Sequence, residues 1–280
     1  MGIAPQFGKH HSGDTTMKRR SFLQSTLTAA GAGAIATRQV ASASQGEPSG
    51  RDYYELRTYR VTAGKQAALD EYLSTAFIPA LGRLGIGPVG VFSEPDGKDN
   101  VAVHVLTVFS SADQCASLAA RLASDAQYQK AAATFMAATP ADKGYNRIES
   151  SLLLAFEGMP RLVKTDTTKP RLMNLRIYES HNERAALKKM EMFNNGEFGV
   201  FQRAKMPVVF CGQTLIGLHM PCLVYMLAFP DEAGRKAGWS RFGKDDPEWK
   251  RLRSMHEYDD KEIVSSITNK ILTPTSYSQI

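Results

Sequence analysis

An arginine and a tyrosine two positions apart occur twice in the sequence, first as Arg57 and Tyr59 and again as Arg176 and Tyr178. Alternate residues of a β-strand point to the same face, so each pair presents its two side chains side by side. A guanidinium group can hold an anionic group through two hydrogen bonds, and a phenol can bind the same group. The four residues are therefore candidates for binding a small organic ligand, including an anionic one.

A histidine within a strand is a further candidate. His104 lies in the apolar run from Val103 to Phe109, and an imidazole can act as a base or bind haem iron. The alternative is a packed, hydrogen-bonded histidine without a chemical role. We therefore add His104 to the ligand-binding candidates and assign no catalytic residue.

The sequence lacks the spacings of the common metal, catalytic and nucleotide motifs. It contains no His-Glu-x-x-His, Cys-x-x-Cys or His-x-His pattern. It also has no nucleophile elbow, no phosphate-binding glycine-rich loop and no dinucleotide fingerprint. We predict no metal site and no cofactor, and haem at His104 stays open as an alternative.

The first 43 residues resemble a targeting segment. Arg19 and Arg20 precede a modestly apolar stretch at 27–36, and small residues follow at 41–43. This pattern is typical of a twin-arginine export signal cleaved near residue 44, and it predicts a periplasmic or other extracytoplasmic protein. A stable membrane span is not expected after signal removal, because spanning needs about 20 apolar residues. Whether residues 1–16 are translated is left open, since Met17 is well placed to start the signal.

The formal net charge of +6 comes mostly from this leader, in which basic residues far outnumber the single acidic one. The rest of the chain is nearly neutral and has no basic stripe interleaved with aromatic residues. Both features argue against nucleic-acid binding.

The rest of the sequence contains an internal repeat. Residues 54–59 return as 173–178, with Arg57 and Arg176 separated by 119 positions, and residues 103–109 match 223–229. Solenoid repeats are about 20–50 residues long, so a unit of this length predicts a duplicated domain. The predicted segments are the signal (1–43), a linker (44–51), a first domain (52–157), a second linker (158–170) and a second domain (171–280).

Each half is predicted to follow the order strand, helix, strand, strand, helix, strand. This is the ferredoxin-like order, so the predicted fold is α+β, with two tandem domains that each form a four-stranded antiparallel sheet covered by helices on one face. The uncovered faces can pack together as a barrel. Whether that barrel forms within one chain or between the chains of a homodimer is left open.

The alternation along the first strand of each half divides its residues between two faces. We expect the apolar Leu56 and Leu175 to face the covering helices, which places the arginine and tyrosine pairs in the barrel interior together with His104. The alternative is an ion-pair network between the domains, in which Glu55 or a carboxylate of the other half pairs with Arg57.

Two motifs resemble the NIPSNAP family. Residues 54–59, Tyr-Glu-Leu-Arg-Thr-Tyr, followed by Gly64, Lys65 and a helix, are similar to the opening of that family. Residues 239–249 are similar to its Trp-x-x-Phe and Asp-Pro-x-Trp segment. The resemblance covers both halves and implies a dimeric α/β-barrel fold, shared in outline with cofactor-free monooxygenases and certain haem enzymes. It implies no reaction, because the family's biochemical function is poorly defined.

The two halves depart from each other at positions of this pattern. Cys115 stands where the repeat places Arg235, and Asn174 stands where the first half has Glu55. The first half also lacks the tryptophan-containing segment and has Tyr128 near the position of Trp249. A site built from these residues is therefore not expected twice in equal form.

The interpretation we favour is an exported NIPSNAP-type protein of undefined activity that binds a small molecule or acts as a scaffold. The alternative is a small-molecule oxidoreductase, monooxygenase-like or haem-binding enzyme that uses the barrel cavity. The sequence leaves open whether the protein is an enzyme and which ligand it holds.

Overall fold

The structure, a computed structural model, describes residues 50–62, 64–94 and 100–280. The predicted export signal at 1–43, with the open question of residues 1–16, and residues 44–49 of the first linker lie outside this part of the chain. Among the described residues, no helix is both long enough and apolar enough to cross a membrane.

Eight strands of the described chain form one sheet that closes on itself as an antiparallel barrel. They are β1 (Tyr53–Thr62), β2 (Val89–Ser93), β3 (Asn100–Phe109), β4 (Arg147–Ala155), β5 (Leu172–Glu179), β6 (Val208–Ile216), β7 (Cys222–Phe229) and β8 (Ser266–Pro274). Around the barrel the order is β1-β3-β2-β8-β5-β7-β6-β4. Many of these residues are β-branched or aromatic, which suits a pleated surface.

Helices cover the outside of the barrel. They are α1 (Gln66–Tyr72), α2 (Ile78–Arg83), α3 (Ala112–Ala123), α4 (Ala126–Met136), α5 (Glu183–Met192), α6 (Phe198–Arg203), α7 (Glu232–Arg241), α8 (Pro247–Ser254) and α9 (Asp260–Ile263). A π-helical turn joins α1 to α2 at Leu73–Phe77, and another joins α5 to α6 at Phe193–Glu197. We call β1 to β4 with α1 to α4 the first half, and the remaining elements the second half.

The helix starts follow from the local sequence. A side-chain oxygen at the N-cap accepts a hydrogen bond from a backbone N–H three residues later, which satisfies one donor that the helix leaves unpaired. The residues that do this are Ser111, Asp125, Asn182, Asp231 and Asp246. Ser111 and Asp231, which begin α3 and α7, are 120 positions apart, so the two helices start at equivalent points of the repeat.

The two halves join through their edge strands. Strand β2 pairs with β8 at Phe92 and Ser93, and β4 pairs with β6 from Leu152 to Ala155. The chain after β8 extends the first junction, where the backbone N–H of Gln279 donates to the carbonyl oxygen of Val89 at 2.9 Å. The barrel therefore closes within one chain, which settles the alternative that the sequence left open.

Apolar side chains from both halves fill the barrel interior. They include Tyr54, Leu56, Phe92, Leu106, Leu153, Met173, Leu175, Phe210 and Met226. Two further cores lie between the outside of the barrel and the helices, one in each half. Strands β1, β3 and β7 therefore have both faces buried over much of their length, whereas β4 and β8 are more exposed.

The prediction that Leu56 and Leu175 face the helices is wrong, because both leucines belong to the interior core. The arginine and tyrosine pairs instead lie on the outer face, under the helices: Arg57, Tyr59, Arg176 and Tyr178. An apolar residue does not mark the helix side of a strand that is buried on both faces. The middle of the interior is packed with apolar side chains and suits leucine, whereas a buried guanidinium needs polar partners, which Arg57 finds on the outer face in Glu55 and Tyr59.

Candidate functional site

A cavity of about 410 Å³ lies in the first half, between the outer face of β1 and helices α3 and α4. We call it the first-half cavity. Its volume falls in the range of about 300–1,000 Å³ that is typical of small-molecule sites. Its polar lining comes from Glu55, Arg57, Tyr59 and Cys115, and most other lining residues are aromatic or aliphatic.

The polar groups of the cavity form a connected frame on β1 and β4. The Arg57 guanidinium donates from Nη2 and Nε to Glu55 Oε1, at 2.7 and 3.1 Å, and from Nη1 to the Tyr59 hydroxyl oxygen at 3.2 Å. Ser150 Oγ also donates to Glu55 Oε1, at 2.7 Å. These bonds fix the Glu55 carboxylate and the Arg57 guanidinium side by side on the face of β1 that the strand pleat gives them.

Aromatic rings form one wall of the cavity. The Tyr72 and Phe135 rings stack with their centroids 4.2 Å apart, and Tyr145 meets the Tyr59 ring edge-on at 5.4 Å. The hydroxyls of Tyr72 and Tyr128 share a hydrogen bond of 2.9 Å. Rings fixed by stacking and hydrogen bonds offer a rigid apolar surface to a ligand.

Cys115 and Tyr59, which lie near Arg57, are in their neutral forms at neutral pH. Burial raises the pKa of the Cys115 thiol, and the Glu55 carboxylate raises it further against the opposing effect of Arg57. Burial also raises the pKa of the Tyr59 phenol, more than Arg57 lowers it. A protonated thiol is a poor nucleophile, so the cavity is better suited to binding than to covalent chemistry at Cys115.

The equivalent region of the second half is filled by a tryptophan. The Trp239 ring of α7 lies over the Arg176 guanidinium, with 4.6 Å between the ring centroid and Cζ. Its indole Nε1–H donates to Asn174 Oδ1 at 3.1 Å. Tyr178 shares a 2.9 Å hydrogen bond with Tyr225, the residue that the repeat places at Val105 of the first half.

His104 lies apart from both arginines, on the interior face of β3 near one end of the barrel. Its Nδ1 is 2.9 Å from Thr58 Oγ1, and its Nε2 is 2.9 Å from Glu94 Oε1. Lys270 of β8 also pairs with Glu94. The cluster therefore links the first half to the second across the short β2 and β8 junction.

The protonation states of this cluster follow from its contacts. The hydrogen bond from His104, followed by the Lys270 ammonium, lowers the pKa of Glu94 to about 2, against the effect of burial. Burial lowers the pKa of His104 by more than Glu94 raises it. A neutral imidazole beside a carboxylate that can only accept must carry its proton on Nε2, so Thr58 donates to Nδ1.

The surroundings of His104 do not fit haem. The cavity next to it has a volume of about 60 Å³, several times smaller than typical small-molecule sites. Both imidazole nitrogens already have hydrogen-bond partners. The described residues also contain no group of three or more His, Cys, Asp or Glu side chains that could hold a metal ion.

The five predicted ligand-binding residues therefore occupy three separate places. Arg57 and Tyr59 line the first-half cavity, Arg176 and Tyr178 lie under Trp239, and His104 lies inside the barrel. The expected position of His104 beside Arg57 is wrong, because Arg57 is opposite Val105 in the β1 and β3 register and so lies on the other face. The barrel interior, packed with apolar side chains, does not offer the ligand cavity that the sequence suggested.

Sequence reasoning missed the residues that create the cavity. Ala119 on α3 is the counterpart of Trp239 on α7, and Val105 on β3 is the counterpart of Tyr225 on β7. Small side chains at both positions leave the first half with space that rings fill in the second half. The repeat itself could have revealed the cavity, because at two positions a large side chain in the second half corresponds to a small one 120 residues earlier in the first.

Comparison with solved structures shows two proteins with similar overall folds. A candidate monooxygenase of Fusobacterium nucleatum has a TM-score of 0.55 at 8% identity, over 81% of this chain and 93% of that chain. A candidate monooxygenase of Lactobacillus acidophilus has a TM-score of 0.51 at 12% identity, over 82% of this chain and 98% of that chain. At these identities the likeness concerns the fold alone.

Smaller NIPSNAP structures match part of the chain. A NIPSNAP family protein of Agrobacterium tumefaciens has a TM-score of 0.36 at 14% identity, over 42% of this chain and 98% of that chain. A search of curated protein sequences found no match.

The family comparison covers both repeats. The NIPSNAP family model matches residues 54–154 and residues 173–279, which together make up well over half of the sequence. The matched segments begin within β1 and β5, where the repeated arginine and tyrosine pairs lie, and extend to β4 and past β8. This chain therefore belongs to the NIPSNAP family.

Proposed function

We propose that this protein binds a small, largely apolar organic molecule in the first-half cavity. The observation that carries the proposal is the cavity itself, of about 410 Å³, lying on the Glu55, Arg57 and Tyr59 frame. Small-molecule sites are concave and are lined mostly by apolar and aromatic side chains around a few polar groups, and this cavity has that composition. The equivalent frame of the second half is covered by Trp239, so the fold does not require the space.

The charge of the cavity argues against an anionic ligand. The Arg57 guanidinium is paired with Glu55 at 2.7 Å, so its charge is largely balanced before any ligand binds. Pairing with Glu55 was one of the two partners considered for Arg57 in the ion-pair alternative, and this pair lies within β1 instead of between the domains. A neutral molecule with a few polar groups fits this frame better than a carboxylate or phosphate.

The second candidate function is oxidation of the bound molecule. The similar folds of the two candidate monooxygenases favour it. The side chains that line the first-half cavity include no histidine, and the Cys115 thiol and Tyr59 phenol keep their protons at neutral pH because burial raises the pKa of each. The Glu55 carboxylate is the candidate base in the lining, but Arg57 and Ser150 hold it as an ion-paired acceptor, and binding without turnover is the proposal we favour.

The proposal includes the organisation of the chain and its location. We infer two tandem ferredoxin-like domains at 52–157 and 171–280, supported by the strand order of each half and by the family match. We also infer export through the twin-arginine route, supported by Arg19 and Arg20 in the leader. Fractionation of cells that express the full sequence tests the second inference, and recovery only from the cytoplasm with the leader uncleaved contradicts it.

A binding screen with matched variants tests the cavity. Ala119→Trp adds to α3 the ring that the second half carries at the equivalent position, and Ala133→Trp adds the same ring at an exposed position of α4 that does not line the cavity. Ligand-observed NMR with a mixture of neutral aromatic, neutral aliphatic and carboxylate fragments should show binding to the wild type and to Ala133→Trp. The same fragments should lose their signals with Ala119→Trp.

The comparison of the two variants decides the outcome. If every fragment that binds the wild type also binds Ala119→Trp with equal strength, the first-half cavity is not the binding site.

A further inference from the structure

In the second half, Trp239 shows which kind of group can pack on the polar side chains that both halves carry at equivalent positions. Helices α3 and α7 start at equivalent N-caps, Ser111 and Asp231. Ala119 in α3 and Trp239 in α7 therefore occupy equivalent turns of two equivalent helices. Arg57 and Arg176 occupy the same position of β1 and β5 and face these helices. The frame and its cover can therefore be compared residue by residue.

The Trp239 indole makes two specific contacts with the frame. Its ring stacks on the Arg176 guanidinium, a favourable arrangement of a cation on an aromatic face. Its N–H donates to Asn174 Oδ1 at 3.1 Å. Asn174 is fixed in this orientation because its Nδ2 donates to Asn269 Oδ1 at 2.6 Å.

The first half repeats this frame without the indole. Glu55 replaces Asn174 as the acceptor, and Ser150 replaces Asn269 as its support, through a 2.7 Å hydrogen bond to Glu55 Oε1. Among the described residues, the hydrogen bonds to Glu55 from Arg57 and Ser150 all end on Oε1. Glu55 Oε2 is left to accept from a ligand, beside the aromatic wall of Tyr72 and Phe135.

We propose that the first-half cavity binds a neutral, planar aromatic molecule that carries an N–H or O–H donor, held as the Trp239 indole is held in the second half. The ring lies against the Arg57 guanidinium and the donor points at Glu55. This inference rests on the proposed function of the cavity and adds the chemical class of its ligand.

The ligand can be larger than an indole. The first half also has Val105 where the second half has Tyr225, and Leu122 where the second half has Phe242, and both Leu122 and Ala119 line the cavity. A fused ring system of two or three rings therefore fits the same frame. An added carboxylate does not suit it, because the Glu55 carboxylate lies where the polar edge of the ligand would lie.

Isothermal titration calorimetry with three small probes tests the ligand class. The probes are indole, 1-methylindole, which has nearly the same shape but no donor, and benzoate, which is planar but anionic. We expect indole to bind the full chain at one site, and 1-methylindole to bind about tenfold more weakly, because it lacks a hydrogen bond to a charged acceptor. Benzoate should bind most weakly.

Three variants locate the site, so that the test can still be interpreted if one of the variants does not fold. Ala119→Trp should abolish indole binding, and the exposed control Ala133→Trp on α4 should retain it. Trp239→Ala should raise the number of bound indoles from one to two, because it opens the equivalent site of the second half.

The outcomes separate this inference from the proposed function. Equal affinity for indole and 1-methylindole, tighter binding of benzoate, or no indole binding at all overturns the inference. If other fragments still bind and are lost in Ala119→Trp, the proposed function stands while the ligand class proposed here is wrong. If no fragment is sensitive to Ala119→Trp, both fail together.

Discussion

The two halves of this barrel share one backbone plan and fill it in opposite ways. In the first half, the helices cover an apolar core with a cavity of about 410 Å³ over Arg57. In the second half, Trp239 covers Arg176, and a buried ion pair between Lys189 and Glu197 replaces apolar contacts. The repeat thus separates what the fold needs from what differs between its two copies.

The differences between the halves occur in matched sets. The repeat places Lys189 at the position of Leu69 and Glu197 at the position of Phe77, so an ion pair and an apolar pair occupy equivalent sites. Likewise, Trp239 and Tyr225 are large where Ala119 and Val105 are small. Paired changes of this kind keep each half internally consistent, since a single change would leave an unpaired charge or a void.

The largest expected effect comes from breaking the buried ion pair. Lys189 Nζ lies 3.0 Å from Glu197 Oε2 and 3.0 Å from Asp260 Oδ1, and the Lys189 and Glu197 side chains are only 2% and 3% exposed. Lys189→Leu should lower the free energy of unfolding by about 3–5 kcal/mol, because it leaves the Glu197 carboxyl buried without its partner. Urea denaturation followed by circular dichroism measures this change.

The double variant Lys189→Leu with Glu197→Phe is the matched control, because it installs the first-half pair in the second half. It should recover most of the lost stability, to within about 1–2 kcal/mol of the wild type. A double variant as unstable as the single one would show that the two halves are not interchangeable at this site.

The next effect comes from removing the tryptophan that fills the second half. Trp239→Ala should cost about 2–4 kcal/mol, somewhat less than a fully buried tryptophan, because the ring is partly exposed. Indole should restore part of this loss, by about 1.4 kcal/mol at ten times its dissociation constant. Thermal unfolding with and without indole measures both quantities.

The control for this experiment is Trp249→Ala, which removes the other tryptophan of the chain from a different contact, against Phe242. Indole should give this variant no more stabilisation than it gives the wild type. Equal rescue of both variants would mean that indole acts without entering the Trp239 space.

The sequence allowed the repeat, the element order and the alternation along β1 and β5 to be predicted, because each depends on local spacing. It did not show which face of β1 is inside, since both faces are largely buried and the polar side chains of the outer face lie under helices instead of in open solvent. Leu56 and Arg57 were assigned to the wrong faces for this reason. The partners of His104 were also hidden, because the contact with Thr58 depends on strand register, and the link from Glu94 to Lys270 spans 176 positions.

The first-half cavity could not be inferred from either half alone. Ala119 is an ordinary helix residue in isolation, and only its equivalence to Trp239 indicates missing volume. The volume of the cavity also depends on the distance between the helices and the sheet, which no local sequence pattern specifies. In a chain with two similar halves, each half nevertheless serves as a reference for the other, and the positions at which they differ are the most informative.

The smallest expected effect concerns the interior, where His104 of the first half stands in place of Val224 of the second. Glu94 has a pKa lowered to about 2 by its hydrogen bond from His104 and by Lys270, whereas an unfolded glutamate has a pKa of about 4.3. Its contribution to stability is therefore present above about pH 5 and is lost as the pH falls toward 2. The lowered pKa of His104 acts in the same direction, since acid favours the unfolded chain, in which the imidazole protonates more easily.

Glu94→Gln should accordingly be less stable than the wild type at pH 7, with the difference about halved at pH 3 and nearly gone at pH 2. Because Glu94 is partly exposed, we expect a difference of about 1 kcal/mol, or about 2–4 °C in the melting temperature. Glu157→Gln, at an exposed carboxylate 3.8 Å from Arg51, should match the wild type at every pH. A constant gap between Glu94→Gln and the wild type from pH 7 to pH 2 would show that the Glu94 charge does not stabilise the junction, and that His104 is held there by packing, as Val224 is in the second half.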